Sequence, residues 1–184
     1  MIRSLYRTAI LLLFLFPLHG WAACPDLLRF EAKKLHSSKQ INFCEQFQDK
    51  VLLVVNTASR CGFTPQFKDL EALYQKYQAK GLEIIGFSSN DFRQEHASEE
   101  ETASVCYKNY GVSFTMLAPT SVKGPQANAF YQTLIARTGQ SPEWNFNKYL
   151  ISRDTQQIEH FGSNISPQSS VLEQALVRQL NKQR

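Results

Sequence analysis

An α/β fold with a central mixed sheet flanked by helices is predicted by three observations. The continuous apolar run Val51-Leu52-Leu53-Val54-Val55 suits a strand buried on both faces. Apolar residues at helical spacing follow it, and a second apolar run, Leu82-Glu83-Ile84-Ile85-Gly86-Phe87, follows those. This order is a β-α-β unit, so its two strands should be parallel. A hairpin predicted nearer the C-terminus adds antiparallel strands and makes the sheet mixed.

For the first helix, Thr64 can cap, Pro65 fits the first turn, Phe67, Leu70, Leu73, Tyr74 and Tyr77 make the apolar stripe, and Gly81 closes it. Ser98-Glu99-Glu100-Glu101 is a capping box that starts another helix, with Cys106 on it or at its end. A strand is expected around Thr115-Met116-Leu117 and a helix over 127–136. Lys148-Tyr149-Leu150-Ile151-Ser152 and Gln157-Ile158-Glu159-His160-Phe161 should pair around an Asp154-Thr155 turn, before a last helix opened by Ser166-Pro167.

With 184 residues the chain suffices for one domain and an appendage. Arg3 and Arg7 precede an apolar run over 9–18 broken by Pro17, and Gly20-Trp21-Ala22-Ala23 follows. This predicts a secretory signal peptide over 1–22, cleaved at 22/23 or 23/24, and a domain over 23–184 exported to the periplasm. The run falls short of the roughly 20 residues of a membrane span, and no later segment approaches that length, so no stable span is expected. Cys24 also fits the acylated cysteine of a bacterial lipoprotein, but Trp21 stands where that signal has leucine, and ordinary cleavage is the preferred reading. Removing the signal takes two of the 20 basic residues, leaving 18 against 16 acidic ones, and the formal charge falls from +4 to +2. The bases are dispersed, which excludes a nucleic-acid partner.

The four cysteines are Cys24, Cys44, Cys61 and Cys106. None has Cys-x-x-Cys spacing, and His19, His36, His96 and His160 are not clustered with them, so neither a metal nor a cofactor is expected. Cys61 lies in Asn56-Thr57-Ala58-Ser59-Arg60-Cys61-Gly62-Phe63-Thr64-Pro65 (NTASRCGFTP), at the C-terminal end of the first strand, where open sheets carry their chemistry. The amides at the helix start favour a thiolate, the nucleophilic form of the side chain. The position alone equally admits a buried structural cysteine.

NTASRCGFTP resembles the glutathione peroxidase family around its peroxidatic cysteine or selenocysteine. Trp144-Asn145-Phe146-Asn147-Lys148 (WNFNK) is similar to that family's second signature, and Phe87-Ser88-Ser89-Asn90-Asp91-Phe92 with Gln94-Glu95 to its middle motif. The likeness runs from about Phe30 to the C-terminus. It implies a thioredoxin-like fold in which Cys61 attacks a hydroperoxide and becomes a sulfenic acid, with Trp144 and Asn145 as donors that steady the thiolate. Cys106, 45 residues after Cys61, matches the resolving cysteine of the thioredoxin-dependent members. Closing that bridge should need the Cys106 helix to unwind or shift.

The departure from the family is Asp91, which stands at the position of its glutamine and would repel a thiolate if it faced one. Either Asp91 turns away, or it is protonated, or Gln94 or Asn90 supplies the donor. Lys148 is expected to brace its motif, and the three histidines beyond the signal to be surface or satisfied groups. Cys24 and Cys44 lie outside the motifs. A disulfide between them would close a loop of about 20 residues, worth about 3 kcal/mol, and would compete with acylation of Cys24.

The resulting expectation is a thiol peroxidase acting on hydrogen peroxide or organic hydroperoxides and recycled by a thioredoxin-like dithiol protein or a small thiol. A monomer is expected, because tetrameric relatives carry a longer insertion between the counterparts of Ala136 and Trp144. The alternatives are a periplasmic thiol-disulfide oxidoreductase, against which Thr64 argues, and a non-catalytic exported binding protein.

Overall fold

A computed structural model of the chain describes residues 23–182, and the signal peptide expected over 1–22 lies outside the described residues. The described part begins with an antiparallel ribbon, β1 (Glu31–Lys33) and β2 (Gln40–Asn42), and a short helix, α1 (Phe43–Phe47). Next come β3 (Val51–Thr57), α2 (Gln66–Tyr77), β4 (Leu82–Ser88), α3 (Glu99–Ala103) and β5 (Thr115–Leu117). The chain ends in α4 (Ala129–Thr138), β6 (Lys148–Ile151), β7 (Ile158–Phe161) and α5 (Ser170–Asn181).

The main sheet has five strands in the order β5-β4-β3-β6-β7. The strands β3, β4 and β5 are parallel, while β6 and β7 run antiparallel, so the sheet is mixed as expected. Every residue of β3 is buried, because alternate side chains enter different cores. Val51, Leu53 and Val55 join Phe67, Leu70 and Leu73 of α2 and Leu172 and Leu176 of α5 on one face. On the other face Leu52 and Val54 meet Phe43, Phe47, Phe130 and Tyr149. Each such aliphatic side chain contributes roughly 1.5–3 kcal/mol by leaving water, which explains an unbroken apolar run where a one-sided strand would alternate. Gly86 has a different cause, since a Cβ there would collide with Met116 Sδ on the neighbouring strand.

Gly81 ends the first helical segment in the left-handed conformation, at φ 96°, as its place after the stripe predicts. Ser98 caps α3 by accepting from Glu101 N–H at 3.2 Å. The hairpin of β6 and β7 turns at Thr155, whose N–H donates to Ser152 O at 2.8 Å.

Three element boundaries differ from expectation. Thr64 does not cap α2, because its hydroxyl is committed to the preceding loop. The helix predicted over 127–136 begins two residues later, where Asn128 accepts from Tyr131 N–H. The last helix opens at Ser169 rather than at Ser166-Pro167, because the Ser166 hydroxyl is drawn to Asp69 Oδ2, 3.1 Å away. The ribbon and α1 carried no sequence signal, each being three to five residues long. After β1 the chain runs along the edge of β5, where Leu35 N–H donates to Met116 O and Ala118 N–H to Lys33 O, both at 2.9 Å. The segment thereby covers an otherwise open sheet edge.

Candidate active site

Cys61 follows β3 by four residues and is 7 % exposed. From there the chain winds through successive tight turns, with Thr64 N–H bonding to Cys61 O and Phe67 N–H to Thr64 O, both at 3.0 Å. The Thr64 hydroxyl accepts from Cys61 N–H at 3.0 Å and donates to Ala58 O at 2.9 Å. It thus locks both sides of the cysteine, in the place where a Cys-x-x-Cys pair would hold its second thiol. These turns leave Phe63 N–H directed at Cys61 Sγ, 3.4 Å away. An amide donor on sulfur stabilises negative charge there.

Two further segments frame the thiol. Loop 89–96, at the end of β4, is tied to it where Arg60 N–H donates to Gln94 O at 2.8 Å. Asp91 faces away, as its carboxylate accepts from the Ser121 hydroxyl at 3.0 Å, from Val122 N–H at 2.7 Å and from Lys123 N–H at 3.1 Å. Three donors converging from one turn hold the carboxylate more strongly than a site that repels it could. Gln94 is the member of this loop that reaches the WNFNK segment, its Oε1 accepting from Asn145 Nδ2 at 3.0 Å.

The WNFNK segment hangs on Asn56, a fully buried polar residue that follows the apolar run of β3. Asn56 Nδ2 donates to Trp144 O at 2.9 Å, and Asn56 Oδ1 accepts from Asn147 N–H at 3.0 Å. Ser163 adds a donor bond to Asn145 O at 2.6 Å and accepts from Asn147 Nδ2 at 3.0 Å. Phe146, between them, is held at φ 62°, a strained value for an aromatic residue, and packs edge-on to Phe67 at 5.3 Å. Trp144 is 41 % exposed, with its ring 5.3 Å from that of Phe92, over which Lys123 Nζ sits at 4.1 Å.

The donors expected on the sulfur are arranged differently from the sequence reading. Asn145 Nδ2 is taken by Gln94 Oε1, an amide oxygen being a stronger acceptor than a thiol, and Trp144 contributes its carbonyl and ring face. Phe63 N–H is the donor that reaches Sγ. A cavity of about 380 Å³ lies beside it, walled by Phe63, Trp144, Asn147 and Ser163.

Cys106 sits in a π-helical turn, Ser104–Asn109, that continues α3. It is 1 % exposed, shares the apolar cluster of Cys61, and both thiols are free. Burial, and after it the charge of Glu95, push the Cys106 thiol up to about 12. Such π turns are rare and recur at functional sites.

Lys148 is buried and donates to Ile165 O at 2.7 Å and Ser163 O at 3.4 Å, so it braces the loop that holds WNFNK. Burial lowers its pKa to about 7, while the charge of Asp69 works the other way. His160 has a partner the sequence did not suggest, Asn147 Oδ1 at 2.9 Å, and burial lowers its pKa. Far from this site, Cys24 and Cys44 form a disulfide with Cα atoms 5.8 Å apart. Among the described residues no group of three His, Cys, Asp or Glu side chains could hold a metal ion, and no helix is long and apolar enough to cross a membrane.

Sequence reasoning missed Asn56, Glu95, Thr102 and Ser163. A polar residue directly after an unbroken apolar run, at the head of the Cys61 motif, was the available signal for Asn56. Glu95 lay in the middle motif without a role, and its role and those of Thr102 and Ser163 become visible only through contacts between distant segments.

The family model described as "Glutathione peroxidase" matches residues 27–135. The glutathione peroxidase-like peroxiredoxin gpx1 of Schizosaccharomyces pombe is 50 % identical over 124 residues, covering 65 % of this chain and 78 % of that protein. A glutathione peroxidase of Lactococcus lactis is 46 % identical over 127 residues, covering 66 % and 81 %. The crystal structure of T. cruzi GPX1 superposes with a TM-score of 0.67 at 25 % identity, covering 86 % of this chain and 98 % of that one. WNFNK lies beyond the residues the family model matches, and the similarity to solved structures covers a larger share of the chain than that model does.

Proposed function

The chain belongs to the glutathione peroxidase family, and from that premise and the geometry at Cys61 we infer that it is a thiol peroxidase. The observation that carries the chemistry is Phe63 N–H, 3.4 Å from a nearly buried Cys61 Sγ at the head of α2.

The Cys61 thiolate attacks the terminal oxygen of ROOH. The S–O bond forms as the O–O bond breaks, the sulfur loses two electrons, and the leaving oxygen takes a proton and departs as alcohol, or as water from hydrogen peroxide. Cys106 then attacks the sulfenic sulfur, hydroxide leaves as water after taking a proton, and a Cys61–Cys106 disulfide results. A dithiol protein or a small thiol supplies the two electrons that reopen it. Because Cys106 is 1 % exposed and its thiol is held high, this step follows opening of the π turn, which returns the thiol to water and to its ordinary pKa near 8.5.

Export as a periplasmic protein is part of the proposal, supported by the leader pattern over 1–22 and by the Cys24–Cys44 disulfide, a bond suited to an oxidising compartment. So is a monomeric state, supported by the short connection between α4 and Trp144. Exchange of disulfides at Cys61 itself is disfavoured, because the Thr64 hydroxyl fills the position a local resolving thiol would need.

The test is stopped-flow oxidation of the reduced protein by hydrogen peroxide and by a lipid hydroperoxide, followed by recovery with candidate dithiol proteins. Loss of both free thiols per equivalent of peroxide in the wild type, with no loss in Cys61→Ser, supports the assignment. Equal peroxide consumption by both proteins overturns it.

A further inference from the structure

Glu95 has no part in the peroxide chemistry above, yet it is the most heavily bonded carboxylate near it. It is 6 % exposed, and one oxygen, Oε1, takes every hydrogen bond its side chain accepts. Ser59 N–H donates at 3.2 Å, the Ser59 hydroxyl also donates, His96 N–H donates at 2.9 Å and the Thr102 hydroxyl at 2.9 Å. The other oxygen, Oε2, is buried without a partner among the described residues. Ser59 stands two residues before Cys61, and Thr102, fully buried, lies in the last turn of α3, four residues before Cys106. One atom therefore joins the loop of the first thiol to the helix that carries the second.

Apart from the apolar packing of Ala103 and Cys106 in the core, few polar contacts hold α3 in place. On its outer side Glu99 pairs with Lys33 Nζ at 2.7 Å and accepts from His36 N–H at 3.0 Å, but these groups are exposed, and exposed ion pairs contribute little. Hydrogen bonds to a buried carboxylate are shorter and stronger. Beyond Thr102 the helix passes into the π turn, whose hydrogen bonding is already irregular. The tie to Glu95 is thus the strong polar contact that must break, together with the packing of Ala103 and Cys106, before Cys106 is exposed.

We propose that Glu95 is a positioning residue for the resolving step: by holding Thr102 against the Cys61 loop it sets how often the Cys106 segment opens, and so how long the Cys61 sulfenic acid survives. The inference rests on the thiol peroxidase reading, and it assigns the sulfenate lifetime to a contact outside both cysteines. A long lifetime leaves the sulfenic acid available to a further peroxide or to a small thiol, so the strength of this tie also decides which fate predominates.

The experiment compares wild type, Glu95→Gln, Thr102→Val and Thr102→Ser. In the reduced proteins the rate at which iodoacetamide labels Cys106, located by mass spectrometry, measures opening without any peroxide. After one equivalent of hydrogen peroxide, the decay of the sulfenic acid measures the resolving step. Weakening the tie in Glu95→Gln or Thr102→Val should raise Cys106 labelling about tenfold and shorten the sulfenate lifetime in parallel, while Thr102→Ser, which keeps the hydroxyl, stays near wild type. Amide exchange in β3 and α5 should not change, which separates local opening from general loosening. Labelling of Cys106 within about twofold of wild type in Thr102→Val overturns the proposal, as does a rise matched in β3 and α5. Should Glu95→Gln fail to fold, the two Thr102 variants decide. Failure of wild-type Cys61 to react with peroxide would overturn the proposed function instead, and the labelling comparison would still decide this inference.

Discussion

Cys61 and Cys106 share one apolar cluster and are both nearly inaccessible, yet their backbones treat them in opposite ways. Around Cys61 the chain is pinned from every side, by Thr64, by Gln94 O on the adjoining amide, and by Phe63 N–H at the sulfur. Around Cys106 the chain is an irregular turn continuing a five-residue helix, and burial with the charge of Glu95 keeps the thiol protonated. Burial alone therefore does not decide what a cysteine does. Rigid surroundings with a donor suit a thiol that must meet a substrate, and a segment of low local stability suits one that must travel.

Replacing each thiol breaks the comparison most severely. Cys61→Ser should abolish peroxide consumption, whereas Cys106→Ser should still consume one equivalent in a single turnover and then stall as the sulfenic acid. Stopped-flow traces with thiol counting distinguish the two. A Cys106→Ser protein that sustained turnover with a dithiol protein at the full rate would remove the resolving role.

The rigid side can be loosened without touching a cysteine. Asn56→Ala takes the acceptor from Asn147 N–H and the Asn56 donor from Trp144 O, which should cost about 2 kcal/mol and lower Tm by about 4–8 °C, with slower oxidation of Cys61. Urea and thermal unfolding report the first effect and stopped-flow the second. Unchanged stability would show that β3 does not hold the WNFNK segment through this residue.

A pH profile sharpens the comparison further. Lys148 takes up its proton at about 7 when folded, against the ordinary lysine value of 10.5, so between those limits unfolding binds a proton and stability rises with pH. From pH 7 to 8.5 the gain should be on the order of 1 kcal/mol, and Lys148→Met should flatten it. Above about 9 the slope flattens, because the Cys106 thiol, held near 12 in the fold, ionises first in the unfolded chain and offsets Lys148, and it turns negative only above the ordinary lysine value near 10.5. Urea unfolding at several pH values, in wild type and variant, checks both the slope and its loss.

The smallest effect concerns Asp91. Because its carboxylate is engaged by Ser121, Val122 and Lys123, Asp91→Asn should cost about 1 kcal/mol of stability and leave the rate of Cys61 oxidation close to wild type. A slowing as severe as that from Trp144→Ala would place Asp91 at the sulfur after all.

Much of this architecture was legible beforehand. The two apolar runs, the α2 stripe, Gly81 and the 152–157 turn each follow from local rules, since periodicity and turn chemistry act over a few residues. The ribbon of β1 and β2 was not legible, because three-residue strands bury too little of their own surface to leave a pattern. The misreading of Thr64 is instructive: a threonine before a helix is a good cap, but the free Cys61 amide and Ala58 carbonyl lay closer to its hydroxyl.

Taken by itself, the amino-acid order determined the α/β plan, and it marked a candidate site at the end of β3, with Cys61 as the candidate reactive thiol through its motif and Cys106 45 residues on. Those properties depend on residue type and on neighbours along the chain. Only the tertiary structure decided that Asp91 points away, that Gln94 rather than sulfur receives the Asn145 amide, and that Glu95 joins Ser59 to Thr102. A polar side chain bonds to whichever partner the fold brings within about 3 Å, and those partners come from segments far apart in sequence.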